Sequence, residues 1–306
     1  MWGFSGRFIL LLCLIGTATL ASAHTLEVHV GNATFTVNVP DQELKATDAD
    51  LTTYVHHGAT AVITYFGRFP MDHVNINIRA VGGDSVRFGR TTPVNGGTIT
   101  MLIGRDATAA VLNDDWTLTH EMTHLAFPAT KEDNREWLGE GMATYVEPVA
   151  RAQAGFLTPE YVWNEFYDEM PKGEPQAGDE GLDNTDTWGR TYWGGALFCL
   201  VADVEIRRAT GNKKGLEDAF RAIMNDKGTI EYEWPIKIIF EEGDRATGTR
   251  VLEDLYAAWK DKPVAVDLDK LWSELGVRKS GDSVVFDSKA PLAAVRAAIT
   301  SKRVQK

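Results

Sequence analysis

Apolar and polar positions change their rhythm part-way along the chain. From His24 to about Asp106 the rhythm has period two: "TLEVHV", "ATFTVNV", "VNINIRAV" and "TITMLIG" alternate or are dense in β-branched residues, with Gly, Asn and Pro between them. Such segments predict half-buried strands. One helix interrupts them, "DADLTTYVHHGATAVITYFGRF", with Asp48 or Asp50 as its N-cap and Gly67 near its end.

After "LIGRDATAAVLNDD" the pattern turns helical. Asp114 or Asp115 caps a helix that starts at Trp116 and that Pro128 stops. A second helix opens near Asp133 or Asn134 and runs through "REWLGEGMATYVE" to Pro148, and "LTPEYVWNEFYDEM" reads as a third. Residues 172–186 read as an exposed, acidic, mobile loop, with a lid over a cleft as the lesser alternative. Residues 196–202 are apolar all round, the mark of a helix inside the core; Gly211 ends it and Arg207 and Arg208 suit its negative end. "GLEDAFRAIM", "VLEDLYAAWK" and "LDKLWSELGV" are amphipathic helices. Strands first and helices second predict an α+β fold. Its parts are a β-rich lobe over 24–115, a helical lobe over 116–235 and a helical extension over 236–306.

Composition narrows this picture. With 306 residues, 44% hydrophobic and 24% charged, the chain has the balance of a globular protein with a sizeable core. Residues 1–23 stand apart: Arg7, an apolar run from Phe8 to Ile15 and Ala21-Ser22-Ala23 have the layout of a secretory signal peptide cleaved after Ala23. The run is too short for a comfortable membrane span, and no later segment is apolar enough for one. The expected product is secreted or periplasmic. Cleavage removes Arg7 and no acid, which moves the net charge from −12 to −13. Such acidity disfavours nucleic acid and anionic lipid as partners. Cys199 is then the sole cysteine, without a disulfide partner and in an apolar stretch that makes it a buried filler. Nothing in the pattern sets an oligomeric state.

The candidate chemistry lies in "WTLTHEMTHLAFP". Residues four apart share a helix face, so His120 and His124 aim two imidazoles at one point, as one Zn²⁺ ion requires of its first ligands. Glu121 sits about 100° around the helix, placed to act on a water rather than to ligate. Catalytic zinc sites use three protein ligands, and the next helix offers Glu140 in "WLGEGMATYVE". Gly139 and Gly141 flank it; mid-helix glycines cost about 1 kcal/mol each, and close approach of the two helices with the metal between them supplies a reason. The motif H-E-x-x-H alone occurs by chance in about one chain in a hundred. The cap before it, the Pro after it and the second helix with its flanked Glu carry the reading. His24, His29, His56, His57 and His73 read as surface or structural residues.

"HEMTH" followed by "WLGEGMATYVE" resembles the gluzincin metallopeptidases, particularly the aminopeptidase N and glycyl aminopeptidase groups. "TYWGGALFCLVADVEIRRATGNKKGLEDAFRAI" is similar to a downstream glycyl aminopeptidase segment, and the resemblance covers roughly residues 90 to 225. It implies a thermolysin-like catalytic domain that hydrolyses peptides or proteins, with His120, His124 and Glu140 as zinc ligands, Glu121 as general base and Tyr192 as the transition-state tyrosine. Chemistry supports the last role: a phenol O–H stabilises the charge that grows on a carbonyl under attack. Tyr145 and Arg190 are the spare candidates.

The departures bear on specificity. Aminopeptidases of these groups bind the substrate's amine with a glutamate in a strand before the zinc helix, whereas "VNGGTITMLIGRD" has Thr98-Ile99 at the expected place, and Gly194 replaces a family lysine. The strand "TITMLIG" is expected to form the upper edge of the cleft. Internal or blocked peptide bonds are therefore the expected substrates, unless Glu147 reaches the cleft as an amine anchor. The alternative is a zinc-containing peptide-binding protein without turnover, against which Glu121 itself argues.

Overall fold

The computed structural model describes residues 22–41, 44–132 and 135–303. The segment read as a signal peptide lies outside them apart from Ser22 and Ala23. Among the described residues no helix is long and apolar enough to cross a membrane.

A five-stranded mixed sheet forms the first lobe. Strands β1 (Ser22–Val30) and β2 (Ala33–Pro40) make an antiparallel hairpin. β2 runs parallel to β3 (His73–Val81), and β3 parallel to β5 (Thr98–Gly104). Between them in sequence, β4 (Val86–Thr92) pairs antiparallel with β5 and closes the order β1-β2-β3-β5-β4. The edge of the sheet is thus β4, and "TITMLIG" lies inside it, contrary to expectation. The periodic strands bury one face: Ala33, Phe35, Val37 and Val39 alternate with half-exposed neighbours along β2. Helix α1 (Asp48–Phe66) follows β2 and packs against β1 on one side and the helical lobe on the other. Its N-cap is Thr47, whose hydroxyl accepts from the Asp50 N–H while the Asp50 carboxylate accepts from Thr47 N–H. Gly67, left-handed at φ 86°, ends it as expected.

The helical lobe opens with α2 (Ala109–Asp114) and α3 (Thr117–His124). Asp115 serves α3 much as expected, accepting from the Leu118 N–H and the Thr117 hydroxyl. The expected openers of the next helix, Asp133 and Asn134, lie outside the described residues. Helix α4 (Glu136–Ala154) runs straight through Pro148, which had been expected to end it. Tyr145, Val146, Val149, Ala150 and Ala152 are all buried along this half, and their packing offsets the roughly 3 kcal/mol that an internal proline costs. α5 (Pro159–Glu169) is capped by Thr158. A π-helical turn (Gly189–Gly194) then leads into the buried α6 (Gly195–Ala209), where Cys199 is enclosed. Five further helices follow: α7 (Leu216–Asn225), α8 (Ile236–Thr247), α9 (Val251–Trp259), α10 (Leu268–Leu275) and α11 (Ala293–Thr300). The paired stubs β6 (Ala129–Thr130) and β7 (Glu233–Trp234) and a hairpin of β8 (Val277–Ser280) and β9 (Ser283–Phe286) complete the lobe. The class is α+β, a sheet lobe leading into a helical lobe.

Candidate active site

Helices α3 and α4 meet at the lobe boundary and bring three side chains to one point. His120 Nε2 lies 3.2 Å from His124 Nε2 and 3.1 Å from Glu140 Oε2, and His124 Nε2 lies 3.4 Å from the same oxygen. Tetrahedral zinc with bonds of about 2.0–2.1 Å sets its ligand atoms about 3.3–3.4 Å apart, so the set matches a face of that tetrahedron. Two imidazoles and one carboxylate are also the donor types zinc takes in open sites. The residues fit the ion. Among the described residues no other group of three His, Cys, Asp or Glu side chains is arranged to hold a metal. His24, His29, His56 and His73 are exposed, and His57 packs beside Phe156 with ring centroids 4.4 Å apart.

Burial and mutual contact set the electrostatics. Burial pushes His120 below its ordinary pKa, and the nearby His124 adds to this. Burial works the same way on His124, but the hydrogen bond and charge of Glu140 outweigh it and hold that ring above its usual value. Glu140 also loses hydration, yet the two imidazoles hold it well below the carboxylate range. A carboxylate kept ionised suits cation binding.

Glu121 is 7% exposed and turns toward β4, where the Thr91 hydroxyl lies 2.7 Å from its Oε2. Tyr192 sits in the π-helical turn, its ring stacked 6.5 Å from that of His120. Such turns recur at functional sites because they re-aim side chains. Burial, and then the charges of Glu140 and Glu121, push the Tyr192 phenol up to about 12. It therefore keeps its proton at neutral pH and remains a donor.

The glycines flanking Glu140 have separate roles. A β-carbon at Gly141 would stand 2.3 Å from the Gly195 Cα, so the close approach is between α4 and α6, not between α4 and α3. Gly139 meets nothing within 4 Å and faces an open cleft of about 600 Å³. Residues 86–91 of β4, the His120 face of α3, Glu140 and Tyr192 line this cleft. Beside it, sharing Trp116, His120 and Tyr192, a pocket of about 360 Å³ is walled by Trp188 and Trp193 and by Glu147, Glu165 and Glu169.

The solved structures similar to this chain include an aminopeptidase N family protein from Idiomarina loihiensis, with a TM-score of 0.63 at 16% identity, over 83% of this chain and 49% of the other. An M1 zinc metallopeptidase from Deinococcus radiodurans gives 0.52 at 13% identity, over 80% and 52%. The fold is that of the M1 zinc metallopeptidases. The chain spans about half the length of these structures. No protein-family model matches the sequence, and no curated protein does.

Within this M1-like fold the spare candidates have structural duties. Tyr145 is fully buried and donates to Asp203 at 2.7 Å. Arg190, 1% exposed, forms an ion pair with Asp179 at 2.7 Å and donates to the Gly173 carbonyl. With Asp183, which accepts from Trp137 Nε1 and the Tyr256 hydroxyl, that ion pair pins residues 172–186 to the helices. The acidic loop is therefore anchored, because Glu174, Asp179 and Asp183 are held by Val266 N–H, Arg190 and Trp137. Glu147 lines the adjoining pocket, which also reaches His120 and Tyr192, and is held by Arg151 at 2.8 Å. Sequence reasoning missed Thr91, Glu165 and the whole of β4. The one available signal was Gly89, a glycine amid otherwise strand-like residues.

Proposed function

We propose that this protein is an exported zinc-dependent peptidase that cleaves internal or N-blocked peptide bonds at least as well as bonds beside a free N-terminus. The observation that supports it best is the convergence of His120 Nε2, His124 Nε2 and Glu140 Oε2 in the cleft of an M1-like fold, with Glu121 and Tyr192 alongside. In this reading the three residues hold one zinc ion. When bound, zinc polarises a carbonyl and acidifies water. The chain's own groups do the rest. The outer edge of β4 offers backbone groups to an extended substrate, which joins the sheet as a further strand. Glu121 takes a proton from the attacking water and passes it to the leaving amine. Tyr192 donates its phenol hydrogen to the carbonyl oxygen as charge develops there.

The preference for internal bonds rests on what the cleft edge lacks. A buried substrate ammonium without a partner costs several kcal/mol. Strand β4 carries Arg87 and Arg90 and no acid, so it offers such an ammonium no carboxylate. The layout of residues 1–23 supports export.

Digestion of a peptide library, read by mass spectrometry with and without a chelator, tests the proposal. Chelator-sensitive cleavage restored by zinc supports it. A protein that binds zinc and peptides but leaves the library intact would be the silent binding protein instead.

A further inference from the structure

We infer that Gly89 and Thr91 of β4 aim the general base, Thr91 by holding one carboxylate oxygen of Glu121 and Gly89 by leaving the other clear. This rests on the peptidase reading above and assigns two positioning residues to it. Thr91 Oγ1 lies 2.7 Å from Glu121 Oε2 and 2.8 Å from the Glu121 carbonyl oxygen. A hydroxyl has one proton to give, and an ionised carboxylate is the stronger acceptor. Oε2 is thereby engaged, and Oε1 is left as the oxygen to receive a proton.

Gly89 lies two residues before Thr91, on the same face of the strand. A β-carbon there would stand 2.5 Å from Glu121 Cγ and 2.9 Å from Oε1, closer than real β-carbons approach. Any larger residue would either displace the side chain or cover Oε1. Glycine weakens a strand interior, and it persists where something must come close to the backbone. Here the close neighbours are the Glu121 side chain and the Thr117 methyl of α3, which such a β-carbon would approach to 2.8 Å.

The test uses the zinc-loaded protein with Thr91→Val, Thr91→Ser and Gly89→Ala. Thr91→Val is expected to retain its zinc, its Tm and its KM, and to lose about 10–100-fold in kcat, the scale of a hydrogen bond to a charged group. Thr91→Ser should restore most of that loss. Gly89→Ala should lose at least as much kcat as Thr91→Val. Crystal structures of the zinc-loaded variants should show the Glu121 carboxylate turned from its place in the wild type. Wild-type kcat in Thr91→Val, or an unmoved Glu121, would overturn the inference, as would loss of zinc or Tm in step with activity. If the wild type turns over no peptide, the peptidase reading fails by itself, and the position of Glu121 in the variant crystals still decides the role of Thr91.

Discussion

Arg207 on α6 grips Glu217 on α7 through two hydrogen bonds from one nitrogen, 2.9 and 2.7 Å long, with both side chains buried. The same guanidinium donates to Asp203 at 2.8 Å, and Asp203 accepts from Tyr145 and from the Leu216 N–H. Asp203 thus has Arg207 as its ion-pair partner, and Glu217 shares Arg207 with Arg303. Removing Arg207 takes that partner from buried Asp203, and loss of a partner from a buried pair costs about 3–5 kcal/mol. Arg207→Ala should lower Tm sharply in a thermal melt. An unchanged Tm would show that water replaces the guanidinium freely.

The proposed zinc site makes a prediction that separates binding from chemistry. His120→Ala and Glu140→Ala should purify with far less zinc than the wild type, measured by elemental analysis after growth in zinc-replete medium. Glu121→Gln should keep zinc and fold while kcat falls about 10²–10⁴-fold, the usual contribution of general acid–base catalysis. Full zinc retention in His120→Ala would defeat the ligand assignment.

Substrate polarity at the amine can be read from paired aminoacyl amides with and without N-acetylation. Acetylated substrates should be cleaved at least as fast as free amines. Besides Glu121 and Glu140, the cleft is lined by Asp115, which accepts from Tyr54 and Thr117, while Glu147, Glu165 and Glu169 lie in the adjoining pocket, where Glu147 is committed to Arg151. A strong preference for the free amine, lost in Glu147→Gln, would reverse the reading and make Glu147 the amine anchor.

Stability should depend on pH through two of these acids. Burial pushes Glu147 from an ordinary 4.5 to about 8 and Glu165 to about 7. Each binds its proton more tightly folded than unfolded. Its stabilising contribution is full below 4.5 and is lost as pH rises, through about 7 for Glu165 and about 8 for Glu147. Denaturant unfolding of zinc-loaded protein between pH 5 and 8.5 should show a smaller decline in Glu147→Gln and Glu165→Gln than in the wild type. Parallel curves for all three proteins would refute this.

The sequence was most legible where one physical demand dominates. Phe35 and Val37 on β2 face a single core, so their alternation marked the strand, and the i,i+4 spacing of His120 and His124 marked a shared helix face. β4 was illegible because it answers to two surroundings at once. Its residues face the cleft and solvent, so Arg87, Phe88 and Arg90 are exposed, and Gly89 yields to Glu121. The loop over 172–186 misled for the opposite reason. Asp179 and Asp183 are acids in a polar stretch, but their partners Arg190 and Trp137 come from elsewhere in the chain. Pro148 misled because local propensity says nothing of the packing along both sides of α4.

The contact between Gly141 and Gly195 sets more than a helix crossing. Gly141 follows Glu140 directly, and Gly195 stands three residues after Tyr192. Two backbones that touch without side chains between them act as a fixed pivot, and the Glu140 carboxylate and the Tyr192 phenol are mounted close on either side of it. A methyl group at this pivot would swing both mounts together. In the proposed site, metal affinity and phenol placement are therefore one mechanical variable, and natural or engineered change at either glycine must retune them jointly.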